Sequence, residues 1–270
     1  MVKNEKKRRY TTYKNSRLSN MEDKLLFILI YLRHAWTQDA HGMFFDMSQP
    51  ETYKWIHLLS PILDQALDEL GELPSREATP DTFEKETVVE SDTPAPEHFF
   101  QDCTERPIQR PKDQQAQKDY YSGKKKQHTV KNNLLINAAC KILVLSPTYK
   151  GSRHDKRLAD ETVSFLPSGS YLYQDSGFLG FNPAGITVVQ PKKKPKGGEL
   201  TAAEKARNRE ISSIRIRVEH VMSGVKRYRI VKDKLRNWKQ GFSDLVMKIC
   251  SGLHNFRLNF RPWCYDKHFD

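Results

Sequence analysis

Apolar residues recur every three to four positions from Ser19 to Leu70, and again from Thr201 to about Tyr228, so both stretches are predicted to be helical. In the first, Met21, Leu25, Ile28, Leu29 and Leu32 form one stripe, with Ser19 in the capping position. Ser48-Gln49-Pro50-Glu51 fits a capping box, in which the Ser48 hydroxyl and the Glu51 carboxylate satisfy each other's backbone amides. The helix it starts carries Tyr53, Trp55, Ile56, Leu58 and Leu59, and Pro61 is expected to open another. Helix, loop, short capped helix is the order of a helix-turn-helix DNA reader, and a plain three-helix bundle has the same pattern. In the reader, Glu51, Thr52 and Lys54 would stand near the start of the helix that enters the groove.

Gly71 to Glu97 breaks this rhythm, with eight acids against two bases and prolines at 74, 80, 94 and 96. Such a segment makes a poor core and reads as a linker. Beyond it the period shortens. HFFQD, ending in Asp102, HTVKNNLLINAA, KILVLSP, SYLYQD and ITVVQP read as strands, and HDKRLADETVSFL reads as a short helix. Strands interleaved with helices predict an α/β domain. In its long helix, Ile211, Ile214, Val218, Val221, Met222 and Val225 form the apolar stripe, and Glu219 lies about 110° from the stripe's centre.

Composition adds a partner to this outline. The 270 residues carry a formal charge of +12 and a pI near 9.4, which attracts polyanions, nucleic acid before anionic membrane. The most apolar run, Leu25 to Leu32, is too short to span a bilayer, and KNEKKRRY is no signal peptide. A soluble chain is expected, cytoplasmic or nucleoid-associated in a bacterial host and nuclear in a eukaryotic one. The basic arm KNEKKRRYTTYKNSR suits phosphate binding, a nuclear signal or a disordered tail. Cys103, Cys140, Cys250 and Cys264 have no C-x-x-C spacing and read as reduced structural thiols.

Three acids stand out by position. Asp102 and Asp175 end predicted strands, and Glu219 flanks the core in the long helix, at the lip of a cleft if the fold brings them together. Geometry alone favours the plainer reading, a solvated glutamate paired with Arg215, one turn earlier. Glu210, Asp155, Asp160 and Glu161 are rival acids.

Five ordered motifs tip this balance. DCTERPIQRP from Asp102, YYSGKKKQHTVKNNLLI from Tyr120, GSRHDKRLADE from Gly151, DSGFLGF from Asp175 and NREISSIRIRVEHVMSGVKRYRI from Asn208 together resemble a DDE-superfamily transposase. More narrowly they resemble the insertion-sequence-five and Harbinger-like group, from Phe99 to about Leu258. The stretch from Leu18 to Leu63 resembles the helix-turn-helix that precedes the nuclease in that group.

The resemblance implies a ribonuclease-H-like α/β domain with a mixed sheet behind a small all-α domain, and it makes Asp102, Asp175 and Glu219 the catalytic metal ligands. The implied layout is a basic arm at 1–18, a helix-turn-helix at 19–70, an acidic linker at 71–97, a catalytic domain at 98–260 and a tail at 261–270. Cys103 stands where the family usually has glycine. The implied cofactor is magnesium, with manganese as a substitute and two ions in the site, because hard oxygen ligands suit these cations. DNA is the implied partner, as terminal inverted repeats and as target, bound by a homo-oligomer without a membrane.

Cations placed to meet phosphate are Lys124, Lys125, Lys126, His128 and Lys131 after the first acid, and Arg153, His154 and Lys156 after Gly151-Ser152. Lys192, Lys193 and Lys194 lie between the other two acids, and Arg215 and Lys226 share the side of Glu219. The function implied is metal-dependent cleavage at element ends and strand transfer. A non-catalytic regulator derived from a transposase and a stand-alone nuclease of the same fold are the alternatives.

Overall fold

The computed structural model describes residues 16–84, 96–237, 239–263 and 265. Most of the basic arm, part of the acidic segment, Cys264 and most of the C-terminal tail lie outside them.

The first helix, α1 (Met21–His34), is capped by Asn20 and not by Ser19, its side-chain oxygen accepting from the Asp23 amide at 2.7 Å. The expected loop contains a helix of its own, α2 (Gln38–Phe44), started by Thr37. The Glu51 carboxylate accepts from the Ser48 amide at 3.1 Å and from the Ser48 hydroxyl at 2.8 Å, and α3 (Gln49–Glu69) begins there. It continues through Pro61, where a new helix was expected. A mid-helix proline removes one donor, that for the His57 carbonyl, and a long helix packed along its length tolerates the loss.

His41 fills the centre of these three helices, its ring 4.4 Å from Phe27 and 5.1 Å from Phe45. Burial pushes its pKa down to about 4, and does the same to His254 in a later helix. The native state therefore binds fewer protons than the unfolded chain between about pH 4 and 6.5, and stability falls as pH drops through that window. Each histidine is expected to cost roughly 2 kcal/mol at pH 4.5 relative to pH 7. Urea unfolding at both pH values checks this: His41→Phe should lose less stability on acidification than the wild type by about that amount.

The acidic segment is not a free linker over its first half. The Ser75 amide donates to the Leu143 carbonyl and the Leu145 amide to the Ser75 carbonyl, both at 2.9 Å, the Ala78 amide donates to the Thr162 carbonyl at 2.9 Å, and Arg76 pairs with Asp244 at 2.7 Å. A short helix, α4 (Pro80–Glu84), then sets Phe83 edge-on against Phe99. Backbone partners on an open strand edge and two buried apolar side chains outweigh the acidic composition here.

A mixed sheet follows, built from β1 (His98–Pro107), β2 (Tyr121–Ser122), β3 (Gln127–Asn137), β4 (Ile142–Leu145), β5 (Tyr149–Lys150), β6 (Tyr171–Gln174) and β7 (Thr187–Val189). A small helix, α5 (Gln114–Tyr120), precedes β2. The strand path runs β2-β3-β1-β6-β7, and β4 and β5 also pair with β3. β3 is antiparallel to β1 and to β4, whereas β6 and β7 run parallel to β1.

One face of the sheet carries α6 (Asp155–Thr162), packed through Phe99, Leu135, Leu172 and Ala159. The other carries α7 (Ala202–Lys226) and α9 (Phe242–Leu258), packed on Phe100, Leu134, Ile136 and Tyr173, with α8 (Arg229–Lys232) between the two helices. α3 packs on α9, so Leu59, Leu63 and Leu67 belong to the same core as Val246 and Met247. Among the described residues, no helix is long and apolar enough to cross a membrane.

Candidate active site

The parallel pairing of β1 with β6 runs from His98 opposite Tyr171 to Gln101 opposite Gln174 and stops there. The next residues are Asp102 and Asp175. Paired residues on parallel strands point to the same face, so Asp102 and Asp175 are the first residues past the last matched pair of neighbouring strands, and Asp102 shares the face of Phe100, toward α7 and α9. Asp102 does not close its strand, as the apolar run implied: β1 continues to Pro107, paired only with β3, and Asp102 faces Leu134. The open lane beside it is made by the end of β6.

Asp102 is half-buried, and one oxygen accepts from the Cys103 amide at 2.8 Å. Burial pushes its pKa up to about 6; the charges of Asp175 and Asp155 add to the rise, and Arg215 and the Cys103 amide oppose it. Asp175 caps a single 3-10 turn, Ser176–Phe178, its carboxylate accepting from the Ser176 amide and, at 3.1 Å, from the Ser176 hydroxyl.

Glu219 is exposed on α7. At about 100° per residue it lies on the same helix face as Arg215, one turn before, and Lys226, two turns after. Asp102 feels the charge of Arg215, and Lys226 feels that of Asp102, so these two cations of the Glu219 face lie in reach of Asp102. The three acids are not gathered into a cage: among the described residues, no three His, Cys, Asp or Glu side chains converge closely enough to hold a metal ion.

Cys103 sits in regular strand, and its side chain projects to the α6 face, 3.8 Å from the Asn133 oxygen. The position needs no positive φ, and the thiol, raised well above its usual pKa by burial, stays protonated. Asp155, weighed only as a rival acid, begins α6. It pairs with Lys131 at 2.8 Å and abuts Gly177, where an added Cβ would stand 2.7 Å from its carboxylate. It therefore ties α6 to β3 and packs against the turn after Asp175, and the HD pair at 154–155 was its signal in the sequence.

Two of the expected DNA contacts are placed otherwise. Lys131 is buried, held by Asp155, by Glu105 at 3.5 Å and by the Arg153 carbonyl at 2.9 Å, because three acceptors meet its ammonium beneath the surface. Thr52 is fully buried, its hydroxyl donating to the Ser48 carbonyl at 3.0 Å inside the α2–α3 corner. Glu51 and Lys54 are exposed at the start of α3, with Tyr53 between them. Lys124, Lys125 and Lys126 are exposed in the β2–β3 turn, and His128 is half-buried against Tyr121.

His154 and Lys193 are exposed, whereas Lys156, Lys192 and Lys194 pair with Asp160, Glu204 and Glu199. Arg153 pairs with Glu161 and stacks over Tyr149, 4.5 Å from the ring centre. Arg215 and Lys226 are half-buried, and burial lowers the pKa of Lys226.

Residues 101–255, which span all three acids, match the family model described as DDE superfamily endonuclease. The chain belongs to that family. Residues 16–69 match the helix-turn-helix of DDE superfamily endonuclease, so the α2–α3 corner falls within the family's helix-turn-helix. A relative from Microchaete diplosiphon, named "Probable transposase for insertion sequence element IS702", is 28% identical over 238 residues, covering 88% of this chain and 81% of its own. No solved structure matches the chain. The resemblance read from the five motifs is thus upheld, and so is the separate helix-turn-helix resemblance of Leu18 to Leu63.

Proposed function

We propose that the chain is a transposase that cuts DNA at the ends of a mobile element and joins the freed 3′-hydroxyl to target DNA. What supports this reading is that the β1–β6 pairing stops at Gln101 and Gln174, the residues just before Asp102 and Asp175, and that Asp102 feels the charges of Asp175 and of Arg215, which shares the helix face of Glu219. The sheet supports a ribonuclease-H-like fold: β4, β3 and β1 are antiparallel neighbours, and β6 and β7 extend the sheet parallel to β1. In this scheme residues 19–70 read the terminal repeats, residues 98–260 cut, and two copies bring two ends together on DNA.

The donor set suits a hard divalent cation. Burial raises the Asp102 pKa and the charge of Asp175 adds to the rise, and a bound cation would offset both. Asp102 and Asp175 would hold the metal, with Glu219 as third donor. Two magnesium or manganese ions, when bound, would activate water or a 3′-hydroxyl and neutralise charge on the phosphate.

The chain's own residues do the rest. Arg215 and Lys226 flank Glu219 and face the backbone of the strand being cut, offsetting its charge without reading its sequence. Asp155 packs against Gly177 in the turn after Asp175, leaving no room there for a side chain. At the other end, Lys54 and Tyr53 present a charge and a ring to the groove, and the turn lysines at 124–126 add phosphate contacts.

Cleavage of labelled inverted-repeat DNA with magnesium, wild type against Asp175→Ala, tests the reading. The variant is expected to lose on the order of a thousandfold in rate, about 4 kcal/mol of barrier. Absent cutting by both would favour a non-catalytic regulator, which the open spacing of the triad would then explain. Nicks without joined product would leave a nuclease alone.

A further inference from the structure

Beneath the two aspartates, on the opposite face of the sheet, runs a chain of side-chain amides, one from each strand or strand end. Gln190, just past β7, donates to the Gln174 oxygen at 2.7 Å, and Gln174 donates to the Gln101 oxygen at 2.6 Å. Gln101 donates to the Asn133 oxygen at 3.2 Å, Asn133 to the Thr162 hydroxyl at 2.8 Å, and Thr162 to the Leu158 carbonyl inside α6 at 2.6 Å.

Every link points the same way, and Gln101, Gln174, Asn133 and Thr162 are all at most 1% exposed. Buried amides are costly unless both their oxygen and their nitrogen are satisfied, and here each amide oxygen accepts while its nitrogen donates. An apolar pair would fill this space at lower risk, so the ladder has something to specify.

Its place indicates what. Gln101 and Gln174 are the last matched pair of β1 and β6, and each immediately precedes one aspartate. Parallel pairing here is only four residues long, and its end is where two strands separate most easily. We infer that the Gln190–Gln174–Gln101–Asn133 ladder is the positioning device that fixes the separation of Asp102 and Asp175, clamping the open end of the strand pair from the far side of the sheet. The inference rests on the proposed metal-binding role of these aspartates. The amides are positioning residues; they reach the ion only through the backbone.

Gln174→Met removes two links at nearly constant volume, and Gln190→Met, at the less buried outer end, removes one. Leu172→Val is the control, on the same strand and the same face but outside the ladder. The full-length proteins are titrated with Mn2+, free ion is read by electron paramagnetic resonance, and thermal midpoints are recorded alongside. Gln174→Met is expected to weaken Mn2+ binding about tenfold, as loss of a supporting shell does, and Gln190→Met less so in the same direction.

Leu172→Val should lower the midpoint and leave Mn2+ affinity unchanged. Wild-type affinity in both methionine variants, or equal weakening in Leu172→Val, overturns the inference. If wild type and Asp175→Ala bind Mn2+ alike, the proposed metal site itself fails, a pattern distinct from failure of the ladder alone.

Discussion

Asp102→Asn is expected to abolish DNA cleavage while making the metal-free protein more stable. The two effects have one origin. The folded-state pKa of Asp102 is raised to about 6, above the ordinary carboxylate value, chiefly by burial. A raised acid is held more tightly by its proton in the native state, so its contribution to stability is present at low pH and lost as pH rises from about 4 through 6. At pH 7.5 the ionised carboxylate therefore costs the fold on the order of 1 to 2 kcal/mol, and asparagine removes that cost.

Its side-chain oxygen can still accept from the Cys103 amide, so the local strand geometry survives. Urea unfolding in EDTA should show the gain at pH 7.5 and none at pH 4. Cleavage should fall about a thousandfold or more, because an amide cannot replace an anionic metal ligand. A variant both inactive and less stable would mean that Asp102 serves the strand and not the chemistry.

Gly42→Ala should disable the DNA-reading end. A Cβ at Gly42 would stand 2.5 Å from the Thr52 hydroxyl oxygen and 2.6 Å from the Met47 carbonyl oxygen. The second contact is the decisive one, since Met47 is tied back by its own amide to the Gly42 carbonyl at 2.8 Å. Alanine must push α2 away from α3, at a cost of about 2 to 3 kcal/mol.

The displaced corner carries the first turn of α3, so the presentation of Tyr53 and Lys54 moves with it. Thermal melts and gel shifts with repeat DNA check this, with the expectation of a lower midpoint and lost retardation. Gly42→Ala with Thr52→Ala relieves one clash and should recover part of the midpoint, while the carbonyl clash persists.

The acids and the helices around them were legible because each announces itself locally: a carboxylate after an apolar run, a three-four stripe, a serine three residues before a glutamate. What escaped depends on partners far away in the chain. Lys131 looks like any cation of a basic hairpin until Asp155 and Glu105 close over it. Thr52 follows Glu51 on a helix that was drawn reaching into DNA, yet its position is set by Gly42 in a helix absent from the apolar pattern.

α2 was missed because Gln38–Phe44 holds too few apolar residues to show a period. β1 appeared to end at Asp102 because Thr104 and Arg106, both buried, are polar. The glutamines at 101, 174 and 190 form no motif at all, and only the register of three strands makes them neighbours.

The unbroken α3 has a mechanical meaning. Its 21 residues span roughly 30 Å, from exposed Tyr53 and Lys54 at one tip to Leu67 near the other. Along the second half Leu63 and Leu67 are buried in the shared core, and Asp64 is pinned to Lys248 of α9 at 3.0 Å. The helix is thus a strut, held against α9 by its second half and by His57, whose ring lies 5.1 Å from Phe242, while Tyr53 and Lys54 stay exposed at its first turn. In the proposed transposase such a strut works as a ruler, so the interval between the base pairs it touches and the bond that is cut would be measured by helical rise, not by the reach of a tether.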